Sequence, residues 1–145
     1  MLEVKTEILI HQPLERVASY AANPDHAPEW YENIQFAERQ NQGPLQNGNK
    51  INFKAKFLRR TLEYTYEIMD YFPGRRLVME TVNGPFPMQT TYEWREIDAH
   101  TTKMVLINRG QPSGFSKILA PFMAIAMRKA NNKDLRRLKK ILEAK

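Results

Sequence analysis

Through the middle of the chain, apolar and polar residues alternate with a period of two. Such alternation is typical of strands that bury one face and expose the other. Seven segments show it to differing degrees: 3–10, 34–39, 51–57, 62–68, 77–82, 88–95 and 102–109. The links between the later segments are only a few residues long, so neighbouring strands are expected to pair antiparallel. The pattern therefore predicts an antiparallel sheet.

Two short helices are predicted between the first and second strands. Pro13 fits the first turn of a helix, and Val17 follows it at helical spacing. The dipeptide Asn23-Pro24 ends this segment, because the residue before a proline avoids the α-helical region. Asp25 is then expected to cap the second short helix.

One long amphipathic helix is predicted over 121–144. Apolar residues, among them Leu138 and Leu142, recur there at spacings of three and four, and the other side is rich in Lys and Arg. Pro121 is expected to open this helix, because a proline inside a helix costs about 3 kcal/mol. A separate helical turn is expected over 115–120, with a kink between the two.

The net charge of +6 is concentrated in the long helix. Residues 128–145 contain eight Lys or Arg and two Asp or Glu, which leaves the rest of the chain neutral. Cations near the C-terminal end of a helix complement its dipole. The charge is therefore interpreted mainly as a solvated face and not as a nucleic-acid site. Contact of Lys133, Arg137 and Lys140 with an anionic membrane or partner surface stays open as an alternative.

Composition limits the class of protein. The chain has no cysteine, which excludes disulfides and thiolate metal sites, and no apolar run reaches the roughly 18–20 residues that span a membrane. No signal peptide is recognised, so a cytoplasmic location is expected. The length fits a single domain over 1–145. No metal or cofactor is expected, because His11, His26 and His100 lie at no ligand spacing and the glycines form no phosphate loop.

Aromatic residues are concentrated on the sheet face expected to meet the long helix. Tyr64, Tyr66, Tyr92 and Trp94 occupy alternate positions of two strands. Such rings form either ordinary core or the wall of a ligand cavity, which is mainly apolar with a few polar groups. Three buried hydroxyls need partners, which favours a cavity. The candidate ligand-binding residues are Trp30, Tyr64, Tyr66, Met79, Tyr92, Trp94, Arg109, Met123, Met127 and Asn131.

Candidates for acid–base chemistry are few, and no catalytic residue is assigned. Tyr66 is a candidate hydrogen-bond donor or general acid toward a carbonyl, and His26 is expected at the edge of a cavity mouth. Asn131 and Arg109 are expected to orient the polar end of a ligand. No carboxylate falls on the expected inner face of the central strands, so a paired-carboxylate mechanism is not indicated. Whether the protein is an enzyme stays open.

The order of the elements and two groups of residues resemble the START-like superfamily. The groups are Pro13…Val17…Tyr20…Asn23-Pro24…Trp30 near the start and Asp134-Leu135…Leu138-Lys139…Leu142-Glu143 near the end. Within the superfamily, the chain is most similar to SRPBCC proteins of the polyketide cyclase/dehydrase type. The resemblance implies an α+β helix-grip fold, in which a curved antiparallel sheet of about seven strands wraps around the C-terminal helix.

The resemblance and the basic helix leave three hypotheses about function. The first is binding of a small hydrophobic or amphipathic molecule, such as a lipid, a polyketide or an aromatic compound, between sheet and helix. The second is a cyclase or dehydratase in which Tyr66 or His26 moves a proton. The third is an interaction protein that uses the basic helix at an anionic surface. Fold alone does not choose between them.

Overall fold

The computed structural model describes residues 2–57, 59–111 and 120–144. The predicted turn over 115–120 therefore lies, apart from Ala120, outside the described residues. A single turn of 3₁₀ helix, Pro24–His26, separates the first two α-helices. In chain order the elements are β1 (Leu2–Ile10), α1 (Leu14–Ala22), α2 (Ala27–Trp30), β2 (Ile34–Arg39), β3 (Lys50–Phe57), β4 (Arg60–Phe72), β5 (Arg76–Asn83), β6 (Met88–Asp98), β7 (Thr101–Gly110) and α3 (Ala120–Glu143).

All seven strands form one antiparallel sheet in the order β1-β7-β6-β5-β4-β3-β2. Each strand from β2 to β7 pairs with its sequence neighbour, and β1 pairs with β7. The pairing register shifts within β2, β4 and β6. Such irregularities increase twist and bend a sheet, and this sheet curls toward α3. The predicted antiparallel sheet and long C-terminal helix are confirmed.

The junction between α1 and the 3₁₀ turn is set by Asn23. Its backbone leaves the helical region (φ −75°, ψ 114°), as expected before a proline. Its side-chain Oδ1 accepts a hydrogen bond from the backbone N–H of Asp25 at 3.0 Å. Asn23 therefore caps the 3₁₀ turn, and Asp25 lies inside that turn. The expectation that Asp25 caps the second short helix is wrong, because the N-cap position of α2 is His26, whose side chain makes no capping hydrogen bond. A hydrogen bond from an asparagine side chain to the N–H two residues further on is typical of the start of a turn.

Side chains of α3 cover the open edge of the sheet at β1. Arg128 donates to the carbonyl oxygen of Lys5 at 3.2 Å, and Lys139 donates to that of Leu9 at 2.9 Å. The end of α3 is fixed by a third contact, from the backbone N–H of His11 to the Glu143 carboxylate at 2.8 Å. An edge strand exposes unpaired backbone groups that invite other strands. Two of the cationic side chains of α3, Arg128 and Lys139, thus bind the protein's own backbone.

The space beneath α3 is divided into two regions. Leu135, Leu138 and Leu142, in the C-terminal half of the helix, are almost fully buried in the main hydrophobic core. Met123 and Met127, in the N-terminal half, face a cavity instead. Within the described ranges, no helix is both long enough and apolar enough to cross a membrane. The C-terminal half of α3 therefore packs in the core, and the N-terminal half borders the cavity.

Candidate functional site

A cavity of about 150 Å³ lies between the sheet and the N-terminal half of α3. Its described wall is formed by the segment after α2, by the start of β1, by strands β3 to β7 with the β5–β6 turn, and by α3. Most of the wall is apolar, and the larger apolar side chains are Leu2, Ile34, Phe53, Leu62, Met79, Phe86, Met88, Met123 and Met127. Ligand sites are usually concave and apolar with a few placed polar groups, and the polar groups here fall into separate sets.

The first polar set is a chain of hydrogen bonds across β4, β6 and β7. The hydroxyls of Tyr66 and Thr90 lie 2.7 Å apart, and Thr90 donates to Asn108 Oδ1 at 2.7 Å. A threonine hydroxyl has one proton, so Thr90 must accept from Tyr66. Burial raises the pKa of Tyr66 to about 12, against the opposing effect of the bond to Thr90. Tyr66 is thus a neutral phenol with its proton engaged and its oxygen lone pairs available.

The second polar set is a pair of tyrosines. The hydroxyls of Tyr31 and Tyr92 lie 2.6 Å apart. Burial is the main cause that raises the pKa of both phenols, and the nearby Asp134 carboxylate raises both further. Trp30 packs beside both rings, with centroid distances of 4.1 Å to Tyr31 and 5.8 Å to Tyr92. The pair is therefore a fixed neutral hydroxyl cluster on the cavity wall.

Asp134 is a buried carboxylate that borders the cavity from α3. Its side chain accepts a hydrogen bond from the backbone N–H of Glu32 at 3.0 Å, and only 3% of the residue is exposed. Burial raises its pKa from 3.8 to about 6, against the lowering effects of the Glu32 N–H, Arg137 and Lys133. Asp134 therefore changes its charge close to neutral pH.

Asn131 lies one helical turn before Asp134 and carries an unpartnered donor. Its Nδ2 is buried and has no hydrogen-bond partner in the described part of the chain. A buried polar group without a partner costs about 1–3 kcal/mol, so such groups are rare in native structures and need a reason. Asn131 also lines the cavity. A ligand oxygen beside it would satisfy this donor.

Arg109 lies on the cavity wall at the end of β7, with its charge already engaged. Its guanidinium forms an ion pair with Glu3 of β1 and donates to Gln89 Oε1 at 2.8 Å. Its side chain is 40% exposed, which places it toward the solvent side of the cavity. To orient a ligand as expected, Arg109 would have to bind the ligand in addition to Glu3 and Gln89.

The structure places most of the candidate residues on the cavity wall, but three predictions need correction. Trp30 and Trp94 do not line the cavity, because both indoles are buried behind Tyr92, at centroid distances of 5.8 and 6.0 Å. His26 does not edge the cavity. Its ring stacks on Tyr20 at 4.1 Å, and its Nδ1 lies 3.0 Å from the Tyr20 carbonyl oxygen. These contacts give His26 a structural role at the α1–α2 junction.

The polar residues of the wall that the candidate set lacks include Tyr31, Thr90 and Asp134. Signals for two of them were present. Thr90 lies two residues before Tyr92, so it shares the inner face of β6. Asp134 continues the inner side of α3 from Asn131 at a spacing of three. Among the described residues, no three acidic or histidine side chains form a cluster that could hold a metal ion.

The antiparallel sheet that curls around a long C-terminal helix, with a cavity between them, defines the START-like helix-grip class. The chain belongs to the family "Polyketide cyclase / dehydrase and lipid transport", whose model matches residues 1–143. A comparison with curated protein sequences found no significant match. Family and fold together point to binding of a hydrophobic ligand or to chemistry of the polyketide cyclase type.

Solved structures support the fold assignment. The fold is similar to that of a protein from Thermus thermophilus, with a TM-score of 0.84 and 17% identity over 98% of this chain and 97% of that one. It is also similar to the Zhui aromatase/cyclase from a Streptomyces species, with a TM-score of 0.80 and 15% identity over 97% and 93%. A START superfamily protein from Mycobacterium smegmatis has a TM-score of 0.81 and 8% identity over 98% and 97%. At these identities the likeness concerns the fold alone.

Proposed function

We propose that this protein binds a small, mainly apolar molecule that carries oxygen functions, held between the sheet and α3. The observation that carries the proposal is the apolar cavity with an unpartnered amide donor, Asn131 Nδ2, on its wall. A filled core would gain nothing from that donor, since an apolar side chain of similar size would avoid its desolvation cost. A bound oxygen atom removes the cost.

The cavity volume limits the size of the ligand. At about 150 Å³ it matches the roughly 150 Å³ engineered cavity that holds benzene, so one ring with short substituents fits without rearrangement. Four methionines line the wall: Met79, Met88, Met123 and Met127. Methionine is unbranched and adapts to irregular shapes. A larger lipid or polyketide would therefore enter by displacing methionine side chains.

The polar groups define the kind of oxygen that each part of the cavity prefers. Asn131 offers an N–H, which suits a carbonyl, ether or hydroxyl oxygen of the ligand. Tyr66 gives its proton to Thr90, so it suits a ligand hydroxyl that donates. The candidate ligand is thus a keto or hydroxy compound with an apolar body.

A pair of ligands with the same shape tests this proposal. Acetophenone and isopropylbenzene have similar size, but only acetophenone carries a carbonyl oxygen. We expect the wild-type protein to bind acetophenone more tightly by about threefold to tenfold, the worth of one net hydrogen bond. The measurement is an NMR titration that follows the methyl groups of Met79, Met123 and Met127.

Met69 provides the internal control, because its side chain is 45% exposed on β4 and does not line the cavity. Its methyl signal should not shift. No shift at the cavity methionines with either compound would overturn the proposal. Equal affinity for both compounds would leave an apolar cavity but remove the role of Asn131. Native mass spectrometry of freshly purified protein would then show whether a natural ligand is retained.

A second candidate function is acid–base catalysis of the cyclase or dehydratase type, favoured by Asp134. A general acid or base works best when its pKa is close to the operating pH, and burial raises the pKa of Asp134 to about 6. Tyr66, with a pKa of about 12 and an engaged proton, is less suited. The acid–base group of such an enzyme would therefore be Asp134, in place of Tyr66 or His26.

If the protein is such an enzyme, Asp134→Asn should lower the turnover of a poly-β-ketone test substrate by about a hundredfold or more. The pH profile of the wild-type turnover should have a midpoint near the raised pKa of Asp134, about 6. Tyr66→Phe should change the turnover far less. Turnover that survives Asp134→Asn would exclude Asp134 as the acid–base group without affecting the binding proposal.

A further inference from the structure

The outward side of α3 carries a stripe of exposed residues that begins apolar and becomes basic. The stripe consists of Phe122, Ile125, Lys129, Arg136 and Lys140, at helical spacings that place them on one side. Phe122 and Ile125 are each 66% exposed, more than the other large apolar side chains in the described ranges. All five residues are exposed, because the opposite side of α3 faces the cavity and the core.

The cations of the stripe differ from three other cations of α3, which are engaged within the protein. Arg128 and Lys139 bind the β1 backbone, and Lys133 forms an ion pair with Glu32 at 2.9 Å. Lys129, Arg136 and Lys140 have no ion-pair partner in the part of the chain that the structure describes. The stripe contains no acidic residue, since Asp134 is buried on the inner side and Glu143 binds Lys139.

An anionic bilayer surface complements both parts of the stripe. Lys and Arg gain about fivefold in affinity each near anionic lipid headgroups, and exposed Phe and Ile gain by insertion between headgroups and acyl chains. A nucleic acid would use the cations alone. It would leave both large apolar side chains in water, where exposed apolar surface of this kind is usually covered by a partner or a membrane.

The apolar end of the stripe lies on the same turns of α3 as the cavity wall. Met123 and Met127, which line the cavity, alternate along the chain with Phe122 and Ile125. We propose that the outward stripe of α3 docks on an anionic membrane surface, with Phe122 and Ile125 inserted, so that the cavity end of the helix lies at the bilayer. The docking stands independently of the ligand. The docked position would also allow a ligand to pass between cavity and bilayer, and this second role rests on the proposed function.

Vesicle binding tests the docking. Co-sedimentation of the full chain with phosphatidylcholine vesicles that contain phosphatidylserine should show binding, which should weaken as salt is raised and without phosphatidylserine. The triple variant Lys129→Gln, Arg136→Gln, Lys140→Gln should bind about a hundredfold more weakly. The double variant Phe122→Gln, Ile125→Gln should bind about tenfold more weakly.

Matched controls remove equal charge and equal apolar surface elsewhere. Lys50, Lys54 and Arg95 are exposed cations on the sheet, and their replacement by Gln gives the same net charge as the triple variant. Phe72 and Ile97 are 56% and 52% exposed, and their replacement by Gln matches the double variant. Both controls should bind vesicles like the wild-type protein.

Three results would overturn the docking: no binding of wild-type protein to anionic vesicles, equal loss in the stripe variants and their controls, or binding of single-stranded RNA in place of vesicles. Titration with acetophenone is run on the same variants. It should be unchanged, because no stripe residue lines the cavity in the described structure. Failure of vesicle binding and failure of cavity binding are thus observed separately.

Discussion

Asp134→Asn is expected to raise the free energy of unfolding at pH 7 and above by about 3 kcal/mol, the equivalent of a pKa shift from 3.8 to about 6. The folded protein holds the Asp134 proton more tightly than the unfolded chain. Its stability therefore falls as pH rises from about 4 through about 6. Asparagine never ionises, and its Oδ1 can still accept the Glu32 N–H, so this fall should disappear. Urea unfolding at several pH values measures the effect.

The two proteins should have similar stability near pH 4, where Asp134 is protonated in the folded state. Asp25→Asn provides the control, because Asp25 is exposed and its stability curve should follow that of the wild-type protein. If Asp134→Asn is less stable than the wild-type protein at pH 7, the carboxylate is stabilised in the folded state. The assignment of Asp134 as a buried, weakened acid would then be wrong.

Asn131→Leu is expected to raise the free energy of unfolding by about 1–3 kcal/mol while it weakens ligand binding. The change removes a buried N–H without a partner, and that desolvation cost accounts for the gain. It also places apolar atoms in the cavity of about 150 Å³. The preference for acetophenone over isopropylbenzene should be lost. Chemical unfolding and the NMR titration measure the two effects.

Asn132→Leu separates burial from helix propensity. Both substitutions replace asparagine by a better helix former, worth about 0.5 kcal/mol, but Asn132 does not line the cavity. Asn132→Leu should therefore gain little stability and keep the ligand preference. Loss of stability in Asn131→Leu would mean that the Asn131 amide has a structural partner, and the argument for a ligand oxygen would fail.

The fold could be predicted because its signals are local and repeated. Each strand alternates along its own length, and the long helix has its own periodicity, so neither assignment depends on distant contacts. The expectation that Asp25 caps the second short helix is wrong, because several polar residues occur together there and only geometry shows that Asn23 caps a 3₁₀ turn that contains Asp25. The single domain over 1–145 and the cytoplasmic location stay predictions.

The site was harder to predict. Alternation shows on which face of the sheet a side chain lies, but not whether that side chain borders the cavity or packs in the core. Trp94 and Tyr92 both lie on the inner face of β6, yet only Tyr92 reaches the cavity. Trp94 lies toward the end of the sheet that the core fills. Asp134 is known from the sequence only as one of the residues that carry the family resemblance. Its burial depends on contacts across the fold, such as the hydrogen bond from Glu32, which lies 102 residues away.

The space beneath α3 is part core and part cavity, and the two parts tolerate substitutions differently during evolution. Core residues such as Leu138 and Leu142 hold the helix on the sheet, whereas Met88 and Met127 are only partly buried and line the cavity. Substitutions of the second kind alter what fits inside at little cost to folding. The shape of the cavity can therefore drift while the architecture persists, as expected for proteins that share this fold at 8% identity.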